Sequence, residues 1–289
     1  MSHKIELHGH RGARGLFPEN TMVGFAGALR IGVDALELDV AVTADNVVVV
    51  THDPQLNADL TRDVDGAWLS GATPAIWSLR AAELDVYDVG RIRPDSSYAA
   101  EYPDQVPHDG ARIPWLAEVL RIDPVVCFTI ELKSAPLHSG LTMDGPDMAE
   151  AVVDVARACS AANRIVVQSF DWRGPRHLRR SQPELPVSWL TSASTLLAAR
   201  TWWDGPDPSD YGGSVPRAVA AEGGPIWGPD YRDLTKDSLE EAHGLGLKVV
   251  PWTVNRPRDM HRLVRWGVDG VITDRPDLAR CVLAKAEPT

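Results

Sequence analysis

Residues 5–53 read IELHGHRGARGLFPENTMVGFAGALRIGVDALELDVAVTADNVVVVTHD, and this stretch decides the fold. It opens with an apolar strand at residues 5–10 and predicts a helix that starts at Asn20 as its N-cap. In that helix Met22, Phe25, Ala26 and Leu29 recur at helical spacing, and Gly32 ends it. A second strand follows at residues 35–40. Strand, helix and strand in succession make a βαβ unit, which favours parallel pairing through a crossover.

The same alternation runs onward. Further strands are expected at residues 125–132, 165–169, 187–190, 226–228, 248–253 and 270–273. Helices at 148–161, 237–245 and 258–266 fit between several of them. Eight parallel strands in a chain of 289 residues predict the α/β class and a (β/α)8 TIM barrel. Residues 47–50 would be a ninth strand, and the turn dipeptide Asp45-Asn46 before them predicts a hairpin with a two-residue loop. That register sets His52 opposite Asp39. Residues 54–113 are long and polar, with a short helix near 79–84, and read as an insertion after the hairpin. Residues 202–224 are rich in Pro, Gly and Asp and read as a second long loop at the same face. The expected organisation is one domain over 1–289.

Composition narrows the function. A hydrophobic share of 44% supplies a large core, and a net charge of -11 argues against nucleic-acid or anionic-membrane partners. An anionic substrate must therefore be met by local cations or a metal. Apolar runs fall short of a membrane span and there is no signal region, so a cytoplasmic protein without a stable membrane anchor is expected. Cys127, Cys159 and Cys281 are expected to be buried free thiols.

Residues two apart on a strand share a face, so Glu37 and Asp39 point together, as do Glu131 and Lys133. Burying Glu37 and Asp39 among Ala35, Leu36, Leu38 and Val40 is expensive without a cation. Three carboxylates at strand ends suit Mg2+, Ca2+ or Mn2+. His10 beside Arg11 and His52 beside Asp53 each follow an apolar strand, and histidines move protons near neutral pH. Arg11 and Lys133 are suited to gripping phosphate oxygens. His8 shares the face of His10, whereas His3, His108, His177, His243 and His261 are expected to be structural.

Several motifs then occur in order: His10-Arg11-Gly12, Pro18-Glu19-Asn20-Thr21, Glu37-Leu38-Asp39-Val40, Thr43-Ala44-Asp45, His52-Asp53 and Glu131-Leu132-Lys133. Ser169-Phe170, Trp252-Thr253-Val254-Asn255 and Asp269-Gly270-Val271-Ile272-Thr273-Asp274-Arg275-Pro276 complete the series. Over residues 8–278 the chain resembles the glycerophosphodiester phosphodiesterase family. The resemblance implies a barrel of the phosphatidylinositol-phospholipase-C-like type, with its insertion after the His-Asp motif, where residues 54–113 fall. It implies Glu37, Asp39 and Glu131 as ligands of one divalent cation, and His10 and His52 as the acid/base pair. Arg11 and Lys133 would hold the phosphate, with Trp252 and Phe170 as apolar walls. Asp274 would either orient a catalytic group or serve a cap or salt bridge, while Glu19 and Asn20 order the first loop. The implied reaction hydrolyses a small glycerophosphodiester to an alcohol and glycerol 3-phosphate. The alternative is a lysophospholipase D or sphingomyelinase D-like phosphodiesterase or lyase of the same superfamily, which needs an apolar groove for acyl chains. A glycosidase built on Glu37 and Glu131 would leave both histidines, Arg11 and Lys133 without a task.

Overall fold

Strands that lie inside a shell of helices are buried on both faces, and every residue over 35–42 is buried. The computed structural model describes residues 4–138 and 140–285, so His3 lies outside the described residues. The strands are β1 (Glu6–Gly9), β2 (Ala35–Val42), β3 (Val48–Val50), β4 (Cys127–Leu132) and β5 (Ile165–Ser169). They continue as β6 (Val187–Thr191), β7 (Ile226–Pro229), β8 (Lys248–Val249) and β9 (Gly270–Thr273). Their order is β8-β7-β6-β5-β4-β2-β1-β9, with β3 paired to β2 off that path. Every pairing is parallel except β2 with β3. The Asp269 N–H donates to the Val249 carbonyl at 3.0 Å and the Ile272 N–H to the Pro251 carbonyl at 3.0 Å. These bonds bring β8 to β9 and nearly close an eight-stranded barrel. β8 stops short of residue 253 because Pro251 has no N–H for the ladder; beyond it the chain keeps the isolated Asp230–Trp252 bridge and the Val254 N–H bond to the Ile272 carbonyl at 2.9 Å.

Local chemistry moves two boundaries of the N-terminal unit. The first helix, Met22–Ile31, is capped by Thr21 rather than Asn20, because Thr21 has the extended backbone a cap requires. The Thr21 hydroxyl oxygen accepts the Gly24 N–H at 3.1 Å. Asn20 sits instead at φ 52, with its amide committed to Asp39. The hairpin forms, but with a three-residue loop: the Thr43 N–H reaches the Val47 carbonyl at 3.0 Å, and Asn46 takes the left-handed φ of 62. Asp45 anchors this loop by accepting from the Thr43 hydroxyl at 2.6 Å and the Ala81 N–H at 2.9 Å. The extra residue shifts the register by one. Val40 faces Val50, and the Thr51 N–H, not His52, meets the Asp39 carbonyl at 3.0 Å.

The insertion lies between β3 and β4 and carries the short helices Ala81–Leu84 and Ser97–Glu101. Leu56, Ile76, Leu84 and Ile113 form a second apolar cluster with Ala41 and Val49 of the hairpin, so the insertion is packed and not loose. Residues 202–224 are not simply a loop: they contain the barrel helix Val215–Ala221, whose Pro216, Ala218 and Val219 are buried. Its Ser214 cap and early proline are start signals that a Pro- and Gly-rich composition hides. The three cysteines are free, yet Cys127 and Cys281 are exposed and only Cys159 is partly buried. Among the described residues no helix is long and apolar enough to cross a membrane.

Gly12 turns the chain out of β1 at φ 87, where a Cβ would stand 2.8 Å from the Gly24 carbonyl carbon. Gly12→Ala should destabilise the protein by about 1–3 kcal/mol, measured as a lower urea midpoint at unchanged slope.

Candidate active site

The site lies at the C-terminal ends of the barrel strands, where alternation aims side chains inward. Asp39 of β2 stands beside Glu131 of β4, and Glu131 beside Gln168 of β5. Glu37, Asp39 and Glu131 each offer an oxygen, and these atoms lie within 4.8 Å of one another. All three residues are buried.

Their partners are unequal. Glu37 accepts the Arg11 backbone N–H and the Gln168 amide, both at 3.1 Å. Asp39 Oδ2 accepts from Asn20 Nδ2 at 2.9 Å and lies 3.0 Å from Arg11 Nε. Asp39 Oδ1 is buried with no hydrogen bond, 3.5 Å from Lys133 Nζ. Lys133 donates to Glu131 Oε1 at 2.7 Å. Burial, with Asp39 and Glu131 beside it, holds the Glu37 carboxyl well above the usual carboxylate range. Burial also pushes Asp39 up, but Arg11, His52, Lys133 and His10 together hold it well below that range. An orphaned carboxylate oxygen, and a neighbour driven toward protonation by crowded negative charge, fit a hard divalent cation bound by all three groups.

Each of the two histidines is oriented by its own carboxylate. His10 Nδ1 lies 2.6 Å from Asp274 Oδ1 at the end of β9. Arg14 forks the same carboxylate at 2.9 and 3.1 Å, and Asn255 Nδ2 donates to it at 2.7 Å. Burial pushes the His10 imidazole down to about 4; the Asp274 charge opposes this and Arg14 reinforces it. Burial would raise Asp274, but His10 and Arg14 hold its carboxyl far below the usual range. His10 is therefore neutral near pH 7, with Nδ1–H donated to Asp274 and Nε2 left as a lone pair 3.8 Å from Glu37. His52 is more open, with 32% of its side chain exposed, and its Nδ1 lies 2.7 Å from Asp53 Oδ1. Burial raises Asp53, but the bonds from His52 and from Asn57, the latter at 2.6 Å, bring it below its ordinary value.

Arg11 is buried and donates from Nη1 to Glu19 at 2.7 Å. Phe170 and Trp252, beyond β5 and β8, meet edge to face at 5.3 Å, and Trp202 lies 6.5 Å from Phe170. His8 faces inward lower in the barrel, bonded to Thr129 and Glu6 at 3.1 Å each. His177 pairs with Glu150 at 2.6 Å and His243 with Asp269 at 2.9 Å. Sequence reasoning missed Arg14, Gln168 and Tyr98. Strand parity was a signal for Gln168, two residues before Phe170. Nothing local marks Arg14 or Tyr98, whose hydroxyl accepts from Arg14 Nη1 at 3.1 Å.

Asn20 orients Asp39 without belonging to the acidic triad. Asn20→Ala should weaken divalent-cation affinity about 10–100-fold, as loss of a ligand's outer partner does. Calorimetric titration of the cation into the protein measures this.

With the geometry in view, the chain compares closely with known proteins. The model of the glycerophosphoryl diester phosphodiesterase family matches residues 10–278. A glycerophosphodiester phosphodiesterase of Bacillus subtilis is 30% identical over 279 residues, 93% of this chain and 83% of that one. A lysophospholipase D of Homo sapiens is 24% identical over 287 residues, 94% of this chain and 83% of that one. The crystal structure of a candidate glycerophosphoryl diester phosphodiesterase from Silicibacter pomeroyi superposes with a TM-score of 0.88 at 39% identity, covering 98% of this chain and 94% of that one. An Oleispira antarctica phosphodiesterase in complex with the product sn-glycerol-3-phosphate shares the fold, with a TM-score of 0.73 at 21% identity and 96% coverage of both chains. The barrel, the ordered motifs and these likenesses agree, and the chain belongs to the glycerophosphoryl diester phosphodiesterase family, a family of hydrolases.

Proposed function

We propose that this chain hydrolyses small glycerophosphodiesters to an alcohol and glycerol 3-phosphate, using one divalent cation. The observation that carries the reading is the pair of carboxylate-oriented histidines, His10 and His52, set around the buried acidic triad. Mg2+, Ca2+ or Mn2+ held by Glu37, Asp39 and Glu131 would neutralise charge growing on the non-bridging phosphate oxygens. Arg11 and Lys133 add fixed positive charge at the same place. His10 accepts the proton of the nucleophile on Nε2, because its imidazole is neutral and Asp274 stabilises the imidazolium that forms. The nucleophile is water or the substrate's own glycerol hydroxyl. His52, partly open to solvent and held by Asp53, gives a proton to the departing alkoxide and is recharged from water. Phe170 and Trp252 wall the glycerol or leaving group.

One domain over the whole chain is part of this reading, supported by the apolar cluster that fastens the insertion to the hairpin. A cytoplasmic setting fits the three free thiols. The aromatic group of Phe170, Trp202 and Trp252 favours lysophospholipids as a second substrate class. Product analysis on glycerophosphocholine against lysophosphatidylcholine separates the two.

His10→Ala and His52→Ala should each lower turnover of glycerophosphocholine at least about 100-fold, and parental activity in either variant would refute the reading. The roles divide on a p-nitrophenyl phosphodiester, whose leaving group needs no proton: His52→Ala should recover most of its lost rate there and His10→Ala should not. Chelation should abolish turnover, and a panel of Mg2+, Ca2+ and Mn2+ added back identifies the preferred ion.

A further inference from the structure

Tyr98 belongs to the insertion, on the helix Ser97–Glu101, whose N-terminus is closed by the Ser96 hydroxyl accepting the Ala99 N–H at 3.1 Å. Its phenol oxygen accepts from Arg14 Nη1 at 3.1 Å and its O–H donates to Glu19 Oε2. Two chains of contacts start from those partners. Arg14 forks Asp274, which lies 2.6 Å from His10 Nδ1. Glu19 accepts from Arg11 at 2.7 Å, and Arg11 Nε lies 3.0 Å from Asp39 Oδ2. One hydroxyl thus supports both the proton-moving side of the site and its carboxylate side.

The surrounding segment grips the same loop. The Tyr102 ring faces the Arg14 guanidinium at 4.6 Å and stands 5.1 Å from the Tyr98 ring. Gln105 Nε2 donates to the Arg14 carbonyl at 2.8 Å, and the Val106 N–H donates to the Leu16 carbonyl at 2.9 Å. Burial and the Glu19 charge keep the Tyr98 phenol protonated far above neutral pH, so it remains a donor. Without that hydroxyl, Glu19 Oε2 and Arg14 Nη1 would each lose a partner in a poorly solvated place. Arg11 and Arg14, like charges, would then press against one another with less to hold them.

We infer that Tyr98 is a positioning residue, the point at which the insertion holds His10 through Arg14 and Asp39 through Glu19 and Arg11. The inference rests on the catalytic reading of His10 and Asp39 given above. It assigns the insertion a second task beside any part in substrate choice: keeping the reacting groups in register. A displacement of about 1 Å at such groups lowers rates about 100-fold.

The test is Tyr98→Phe, which keeps the ring and removes only the hydroxyl. Turnover of glycerophosphocholine should fall at least about tenfold while KM changes less than about threefold. In a cycle with Arg14→Lys the two effects on kcat should be non-additive, since both act through one chain of contacts. A parental kcat well below the melting temperature, or additive effects in the cycle, would overturn the inference. Tyr102→Leu removes the ring that faces the Arg14 guanidinium and lies against Tyr98, and should show the same split of kcat from KM; it serves if Tyr98→Phe does not fold, and a parental kcat in it then overturns the inference. His10→Ala runs in the same assay. If it is inactive while Tyr98→Phe is parental, only this inference fails; if it is fully active, the catalytic reading fails and takes this one with it.

Discussion

Buried negative charge in the barrel mouth is the constraint on which the rest of this structure depends. Glu37, Asp39 and Glu131 are packed side by side on two adjacent strands, and all three are buried. An unpaired buried carboxylate costs several kcal/mol even after relaxation, so the surroundings are arranged to offset it. Arg11 and Lys133 reach in from the strand ends, Asn20 and Gln168 donate amide hydrogens, and the Arg11 backbone N–H donates as well. These groups leave the charge incompletely balanced, as the upward push on Glu37 and the orphaned Asp39 oxygen show. A divalent cation held by the three carboxylates would complete that balance.

The same demand accounts for the left-handed backbone in one loop of the barrel. Arg11, Gly12 and Asn20 all have positive φ, at 50, 87 and 52. Each lies in the loop between β1 and the first helix. For the non-glycine residues such a conformation costs about 1–3 kcal/mol, offset by hydrogen bonds to the buried carboxylates. At Arg11 it turns the backbone N–H onto Glu37, and at Asn20 it brings the amide against Asp39. The insertion bears on this loop through Tyr98, Tyr102 and Gln105, so a strained loop is held from both sides.

The two histidines show how one residue type is given two characters. His10 is closed in, with Asp274 below it and Arg14 beside that carboxylate, and its imidazole stays neutral. His52 stands at the rim with Asp53 and meets water. In both cases a carboxylate against Nδ1 fixes the ring, and at His10 this leaves Nε2 3.8 Å from Glu37. The neighbours of the ring, and not the ring, set that difference.

How much of this was legible in the chain follows from the range of each interaction. Parity along a strand is local, so Glu37 with Asp39, and Glu131 with Lys133, could be placed on one face before any strand was paired. The alternation of strands and helices is local too, and it determined the barrel and the acidic mouth. Turn geometry was legible only in kind. Asp45-Asn46 marks a hairpin, but the contacts of Asp45 with Thr43 and with Ala81, far along the chain, accompany the longer loop and the shifted register. Asn20 could be read as a cap from its type, yet Asp39 holds its side chain and Thr21 does the capping. Arg14, Tyr98 and the Asp274–His10 pair join residues that nothing in local spacing connects. Sequence by itself determined the barrel and which acidic and basic side chains share a strand face, because strand and helix periods act over a few residues. Only the tertiary structure decided how those groups are held, because hydrogen bonds between distant segments exist only once the barrel has brought them together.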